Sequence, residues 1–218
     1  MQVVVVTPPS ALISVSLAKQ HLRVDTSSDD DLITFYIAAA QSMIDGPGGW
    51  LGRAIGVQTL ELRLNGFPHA IWGWSSGSSS LFYGSEPTPG ALYGSHLGSP
   101  SVSLPYPPLI EVTSVTYEDA NGVQQTLPSS AFLASDEGLG PSFGTIFPSG
   151  RWQPGAVRIQ YRAGYDTIPP AIAAAMLLMV GDLYGNRSTV ETGVRAAAVS
   201  VPMSATVEAL LAPYRVIG

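Results

Sequence analysis

The spacing of apolar residues changes twice along this chain, and those two changes limit the folds open to it. Up to residue 44 the period is helical: Ile33, Ile37, Ala40 and Ile44 recur on one face, with Leu32, Tyr36 and Met43 widening the stripe. At TLELRL the period falls to two, Leu60, Leu62 and Leu64 alternating with Glu61 and Arg63. AVRIQYRAGY repeats that pattern, Val157, Ile159 and Tyr161 inward against Arg158, Gln160 and Arg162 outward. From Pro170 the period is helical again. The expected fold is α+β: a helical core of two N-terminal helices, one long apolar helix and a short C-terminal helix, with an inserted antiparallel β module. The divisions read as 1–56 for the N-terminal helical part, 57–165 for the β module with an irregular insert at about 70–103, and 166–218 for the C-terminal helical part and tail.

Local signals place the elements. Ser16 is the expected cap of a helix over 16–24. Asp29, Asp30 and Asp31 stand where a helix start favours negative charge, and GPGG at 46–49 is the stop. Asn121-Gly122 between IEVTSVTYED and VQQTL is a hairpin signal. Asp166 and Thr167 offer caps, and Pro169 and Pro170 suit the first turn of AIAAAMLLMVGDLYGNR. That helix is apolar nearly all round, so most of its circumference should be buried, and Ala171, Ala173, Ala174 and Ala175 permit close packing. A linker over 188–203 leads to SATVEALLAPY, a short helix ended by Pro213.

Only 12% of the 218 residues are charged, against 45% hydrophobic. Soluble domains usually carry about a quarter charged residues. The chain must therefore expose a neutral surface or bury surface in an assembly, and assembly is the expectation. Net charge is −6, there is one lysine, Lys19, and the nine arginines are scattered in sequence. A grip on nucleic acid by phosphate neutralisation needs clustered cations, so none is expected, although DNA could slide past an acidic surface. With no cysteine, a disulfide scaffold and a thiolate metal site are excluded. The apolar run in MQVVVVTPPSALISVSLAKQ has no basic residue before it and makes a poor signal peptide. No stretch reaches the roughly 18–20 apolar residues that span a bilayer, so no membrane association is expected, and the chain reads as soluble, intracellular or carried on a particle.

Catalytic chemistry is not evident. His21, His69 and His96 have no metal-ligand spacing. The Asp29–Asp31 run lacks the ligand spacing and turn glycine of a calcium loop. GPGG and GLG lack the strand–loop–helix setting of a phosphate loop. GWSSG at 73–77 puts Ser75 in a nucleophile position, but SSSLFYG follows and is no helix. No catalytic residue, cofactor or metal is assigned. The insert leaves two readings open. Trp72, Trp74, Phe82, Tyr83 and Tyr93 among Ser and Gly suit a partner-contact surface, or they pack against the module's own strands. A carbohydrate-binding module stacking sugars on Trp72, Trp74 and Tyr83 is the alternative function.

Residues 210–218, LLAPYRVIG, are apolar and aromatic with a single charge, Arg215. Such a tail either folds onto its own domain or docks on another chain. Pro213 turns it towards an extended form, and Tyr214 and Arg215 are typical interface anchors.

Two stretches resemble the head–tail connector (adaptor) proteins of long-tailed bacteriophages and gene transfer agents. SLAKQHLRVDTSSDDDLITFYIAAAQSMID, running into WLGRAI and QTLEL, is similar to their N-terminal signature; IPPAIAAAMLLMVGDLYGNR with VEALLAPYRV is similar to their C-terminal one. SLPYPPLIEVTSVTYEDANG fits the subgroup with a β module between the helices. GPGGW interrupts the usual run of the second helix into the GRA segment, and the insert is longer than usual. The resemblance implies a homo-oligomeric ring, commonly twelvefold, in the virion neck, assembled in the bacterial cytoplasm. Its partners would be the portal protein and a downstream neck or tail-terminator protein. DNA would pass through the channel without specific binding. It further implies portal contact through Leu210, Leu211, Pro213, Tyr214, Arg215 and Val216. Asp29, Asp30 and Asp31 are candidates for an acidic channel lining.

Overall fold

The computed structural model describes residues 1–68, 101–135, 138–142, 147, 148, 150, 152–186 and 204–216. Along the chain these form β1 (Gln2–Thr7), α1 (Val15–Leu22), α2 (Asp30–Ile44), β2 (Gln58–Leu64), β3 (Leu109–Glu118), β4 (Gln124–Thr126), β5 (Phe132–Ser135), β6 (Gly138–Pro141), β7 (Val157–Ala163), α3 (Pro170–Gly185) and α4 (Ala205–Leu211). The class is α+β, with four α-helices and antiparallel sheets among the described residues.

The helices form because their apolar stripes meet. Ile33, Ile37, Ala40 and Ile44 of α2 are buried, as the period requires. They pack with Ala18 of α1, with Ile172, Ala175, Met176, Met179 and Val180 of α3, and with Val207 and Leu211 of α4. Met43, expected in the stripe, is instead exposed at its margin. The cap of α1 is Ser14, whose Oγ accepts from Leu17 N at 3.2 Å, and not Ser16. α3 begins on Pro169 and Pro170 with no side-chain cap, so Asp166 and Thr167 do not serve as caps. α4 starts from a Ser204 cap and runs into a 3-10 turn over Ala212–Tyr214.

The main sheet has the order β1-β2-β7-β3-β4, every pairing antiparallel. In β7, Val157, Ile159, Tyr161 and Ala163 are buried and Arg158, Gln160 and Arg162 face the other way, as expected. The β3–β4 hairpin turns at Gly122, whose φ of 80° explains the glycine. The inner face of the sheet makes a second core with Phe67, Val102, Leu104, Leu139 and Phe147. Phe67 and Phe147 stack with ring centroids 4.6 Å apart. Val102, at the end of the expected insert, bridges to Leu139.

Residues 2–7, expected with the N-terminal helical part, belong to the sheet instead. β1 pairs with β2 in the register Val3↔Leu62 and Val5↔Leu60. Four consecutive valines carry no alternation, so their sequence did not announce a half-buried strand. Among the described residues β1 has a partner on one side only, which puts it at the edge of the sheet.

Met176 lies fully buried at the centre of the helical core. Met176→Ala should lower the unfolding free energy by about 2–5 kcal/mol through lost burial and a residual cavity. Ala174→Ser, on the exposed side of the same helix, should change it by under about 0.5 kcal/mol. Urea titrations of the two variants check both.

Candidate functional site

Where α2 ends, the chain must turn back towards β2, and a buried carboxylate organises the turn. Asp45 Oδ1 accepts from Ile55 N at 2.7 Å and from Gln58 Nε2 at 2.9 Å. Its Oδ2 accepts from Gly56 N at 3.3 Å and Gln41 Nε2 at 3.4 Å. Gln41 in turn donates to Ser10 O and accepts from Leu12 N, both at 3.1 Å. Burial pushes the Asp45 carboxyl above its usual range, partly offset by the donors of Ile55, Gly56, Gln41 and Gln58. The interruption by GPGG is a 3-10 turn, Gly46–Gly48, entered with Gly46 at φ 67°. An open groove of about 710 Å³ runs beside this knot between Val5, Pro9, Ile13, Val15, Ile37 and Ala38.

The turn delivers residues 50–53 to the tail. Arg53 Nε donates to Tyr214 O at 2.7 Å, and its Nη1 donates to Tyr165 Oη at 2.6 Å. Val216 N donates to Leu51 O at 2.9 Å. The Arg215 guanidinium lies 4.4 Å from the Trp50 ring centroid. The tail therefore folds onto its own chain, and onto the helical part rather than the β module. Leu211 is fully buried in the helical core, and Leu210 and Tyr214 pack partly buried against it. Leu211 is thereby unavailable to another protein as long as the core is intact. Pro213, Arg215 and Val216 remain exposed.

The acidic run divides. Asp29 accepts a hydrogen bond from Tyr184 Oη of α3. Asp30 pairs with Lys19 of α1 at 2.6 Å. Asp31 is exposed on the first turn of α2. Two of the three carboxylates thus tie α2 to its neighbours.

The fold gathers arginines that are scattered in sequence. Register sets Arg63 opposite Arg158, and Arg162 beside Glu111, on the outward face of the sheet. Arg63 pairs with Glu61 at 2.6 Å and Arg162 with Glu111 at 2.7 Å. The Gln160 donor and the Arg63 charge hold the Glu61 carboxyl below its usual range against the effect of burial. Two of these three cations are therefore matched by carboxylates, so among the described residues the face does not present the cluster of unpaired cations that holds phosphates.

Trp72, Trp74, Phe82, Tyr83 and Tyr93, with Ser75, His69 and His96, lie outside the described residues. Among the described residues no group of three His, Asp or Glu could hold a metal, and no helix is long and apolar enough to cross a membrane.

Residues 12–61 match the model of a family described as phage gp6-like head-tail connector protein. That stretch holds α1, α2, the Asp45 knot and Arg53. The whole fold is similar to solved chains in the neck of an empty gene transfer agent particle computed with C6 symmetry and in the virion of a native gene transfer agent particle. Each is 19% identical with a TM-score of 0.68, over 100% of this chain and 97% of the other. A chain in the neck of a native particle computed with C12 symmetry matches at 18% identity and a TM-score of 0.61, over 100% of this chain and 97% of that one. No curated protein matches the chain.

The Asp45 knot lies within the matched stretch and generates a pH prediction. A buried acid whose carboxyl is raised contributes stability at low pH that is lost as pH rises through the raised value. Asp45→Asn removes that dependence. It also turns an amide N–H₂ towards backbone donors, which should cost about 1–3 kcal/mol at neutral pH. The expected result is a stability gap between wild type and Asp45→Asn that changes with pH from the ordinary aspartate range upward. Urea unfolding of both chains across acidic to neutral pH measures it.

Proposed function

We propose that this chain is a structural head–tail connector, one subunit of a closed ring in the neck of a phage or phage-like particle. The observation that carries this is the coincidence of two findings: the connector-family signature over residues 12–61 and a full-length fold similar to neck proteins of gene transfer agent particles. The C12 symmetry of one such neck supports a twelvefold ring. A role in assembly accounts for the low charge, since contacts between copies take the place of a charged surface. Heterologous contacts close into a ring when the rotation between copies allows it. The role needs no catalysis, and nothing among the described residues favours sugar binding.

Within that role, the portal meets the tail through Pro213, Arg215 and Val216, with Tyr214 fixing their pose. A downstream neck or tail-terminator protein takes the opposite face. Asp31, with Asp29 and Asp30 behind it, contributes to an acidic channel past which DNA slides. The aromatics of the insert, Trp72, Trp74, Phe82, Tyr83 and Tyr93, contact a neck partner. Assembly takes place in the bacterial cytoplasm.

The test uses a cut that spares the core. Removing residues 210–218 would strip Leu211 from the helical core, so truncation should follow Ala212. The expected result is a folded, ring-forming chain that no longer loads onto portal-bearing heads. Undiminished loading would remove the tail from the portal contact. Particle images showing scattered monomers on the capsid exterior would overturn the connector role itself.

A further inference from the structure

The tail and residues 50–53 are built as one surface. Arg53 is used inside the protein, its Nε on Tyr214 O and its Nη1 on Tyr165 Oη, and its guanidinium also stands 5.8 Å from the Tyr165 ring centroid. Gly52 permits the close approach: its φ is 62°, and a Cβ there would stand 3.0 Å from Val216 O. The tail is therefore fixed at two backbone points, one on each side of Arg215.

Arg215 is treated differently. It is exposed, its guanidinium carbon lies over the Trp50 ring at 4.4 Å from the centroid, and it forms no ion pair among the described residues. Stacking on an indole uses the face of a guanidinium and leaves its N–H edge free to donate a fork of hydrogen bonds. Because the backbone on both sides of Arg215 is held and the Trp50 ring supports its side chain, less freedom remains to be lost on binding. A planar, pre-set fork matches a carboxylate, two parallel N–H···O bonds at once. In a chain of net charge −6, an arginine presented this way, with no ion pair among the described residues, is set for a partner of opposite sign.

We infer that Trp50, Pro213, Arg215 and Val216 form a docking surface for a carboxylate-bearing segment of another protein, and that Arg53 is the positioning residue that holds it. The inference rests on the connector reading, in which that protein is the portal. It adds the chemistry of the contact: an Asp or Glu side chain on the fork, with small apolar contacts to Pro213 and Val216 beside it.

The experiment measures loading of the full chain onto portal-bearing heads, digestion of the tail by carboxypeptidase, and thermal unfolding. Arg215→Glu should cut the affinity for heads by about tenfold or more, with ring formation and unfolding temperature unchanged. Arg215→Lys keeps the charge but loses fork and stacking, and should recover only part of it. Arg53→Lys cannot reach both Tyr214 O and Tyr165 Oη, so the tail should be digested faster and loading should fall. If wild type loads and Arg215→Glu loads equally well, the carboxylate contact is overturned while the connector reading stands. If Arg53→Lys loosens the tail without weakening loading, the positioning role is overturned. If Arg215→Glu leaves loading intact but weakens retention of duplex DNA, the surface faces phosphate and the inference fails. Failure of wild type to load at all would remove the connector reading and this inference with it.

Discussion

The carboxylate of Asp45 is the interaction on which the arrangement depends. It stands at the end of α2 and gathers donors from Gln41, Ile55, Gly56 and Gln58. Through Gln41 it also fixes the linker at Ser10 and Leu12, between β1 and α1. Three passages of chain are thereby held at one point, and each leads to a different part of the fold. Ile55 closes the helical core, while Ala54 on its other side belongs to the core under the sheet. Removing a buried, fully bonded carboxylate leaves several donors stranded, which costs far more than a surface ion pair such as Arg162–Glu111.

Much of this fold was legible in the sequence wherever one face alone is buried. Ile33, Ile37, Ala40 and Ile44, or Val157, Ile159 and Tyr161, state their element and their inward side by period. Asn121-Gly122 named a hairpin because its turn needs a positive φ. What escaped was decided by distant partners. β1 has four valines in a row and becomes a strand by pairing with β2, some sixty residues on. The cap of α1 is Ser14 rather than Ser16, and the linker before it is anchored at Ser10 and Leu12 by Gln41, a contact no local pattern reveals. Met43 continues the stripe of α2 in sequence, yet stays exposed at its margin.

The candidate surface was only half legible. The apolar tail with Tyr214 and Arg215 is conspicuous as sequence, but its choice of partner is not. Arg53 and Tyr214 are 161 positions apart, and nothing near either one announces the other. Residues matched to the connector family thus do two jobs. They build the N-terminal helices, and through Trp50, Gly52 and Arg53 they seat the tail. The arginines make the same point. Scattered along the chain, three of them converge on one sheet face, where two are cancelled by carboxylates.

The helical core draws α1 and α2 from the first quarter of the chain and α3 and α4 from the last, with every strand but β1 between. On the ribosome this imposes an order. The stripe of Ile33, Ile37 and Ile44 leaves the exit tunnel without the surface it will cover. It must wait until Met176 and Leu211 have been made, and β7, which joins β2 to β3, emerges only just before α3. At translation speeds of about 5–20 residues per second, that interval lasts on the order of ten seconds. During it the nascent chain carries an uncovered apolar helix face, which is a target for chaperones. Because Leu211 belongs to the core and Tyr214 packs against it, the helical core and the proposed docking surface are completed by the same last stretch of chain.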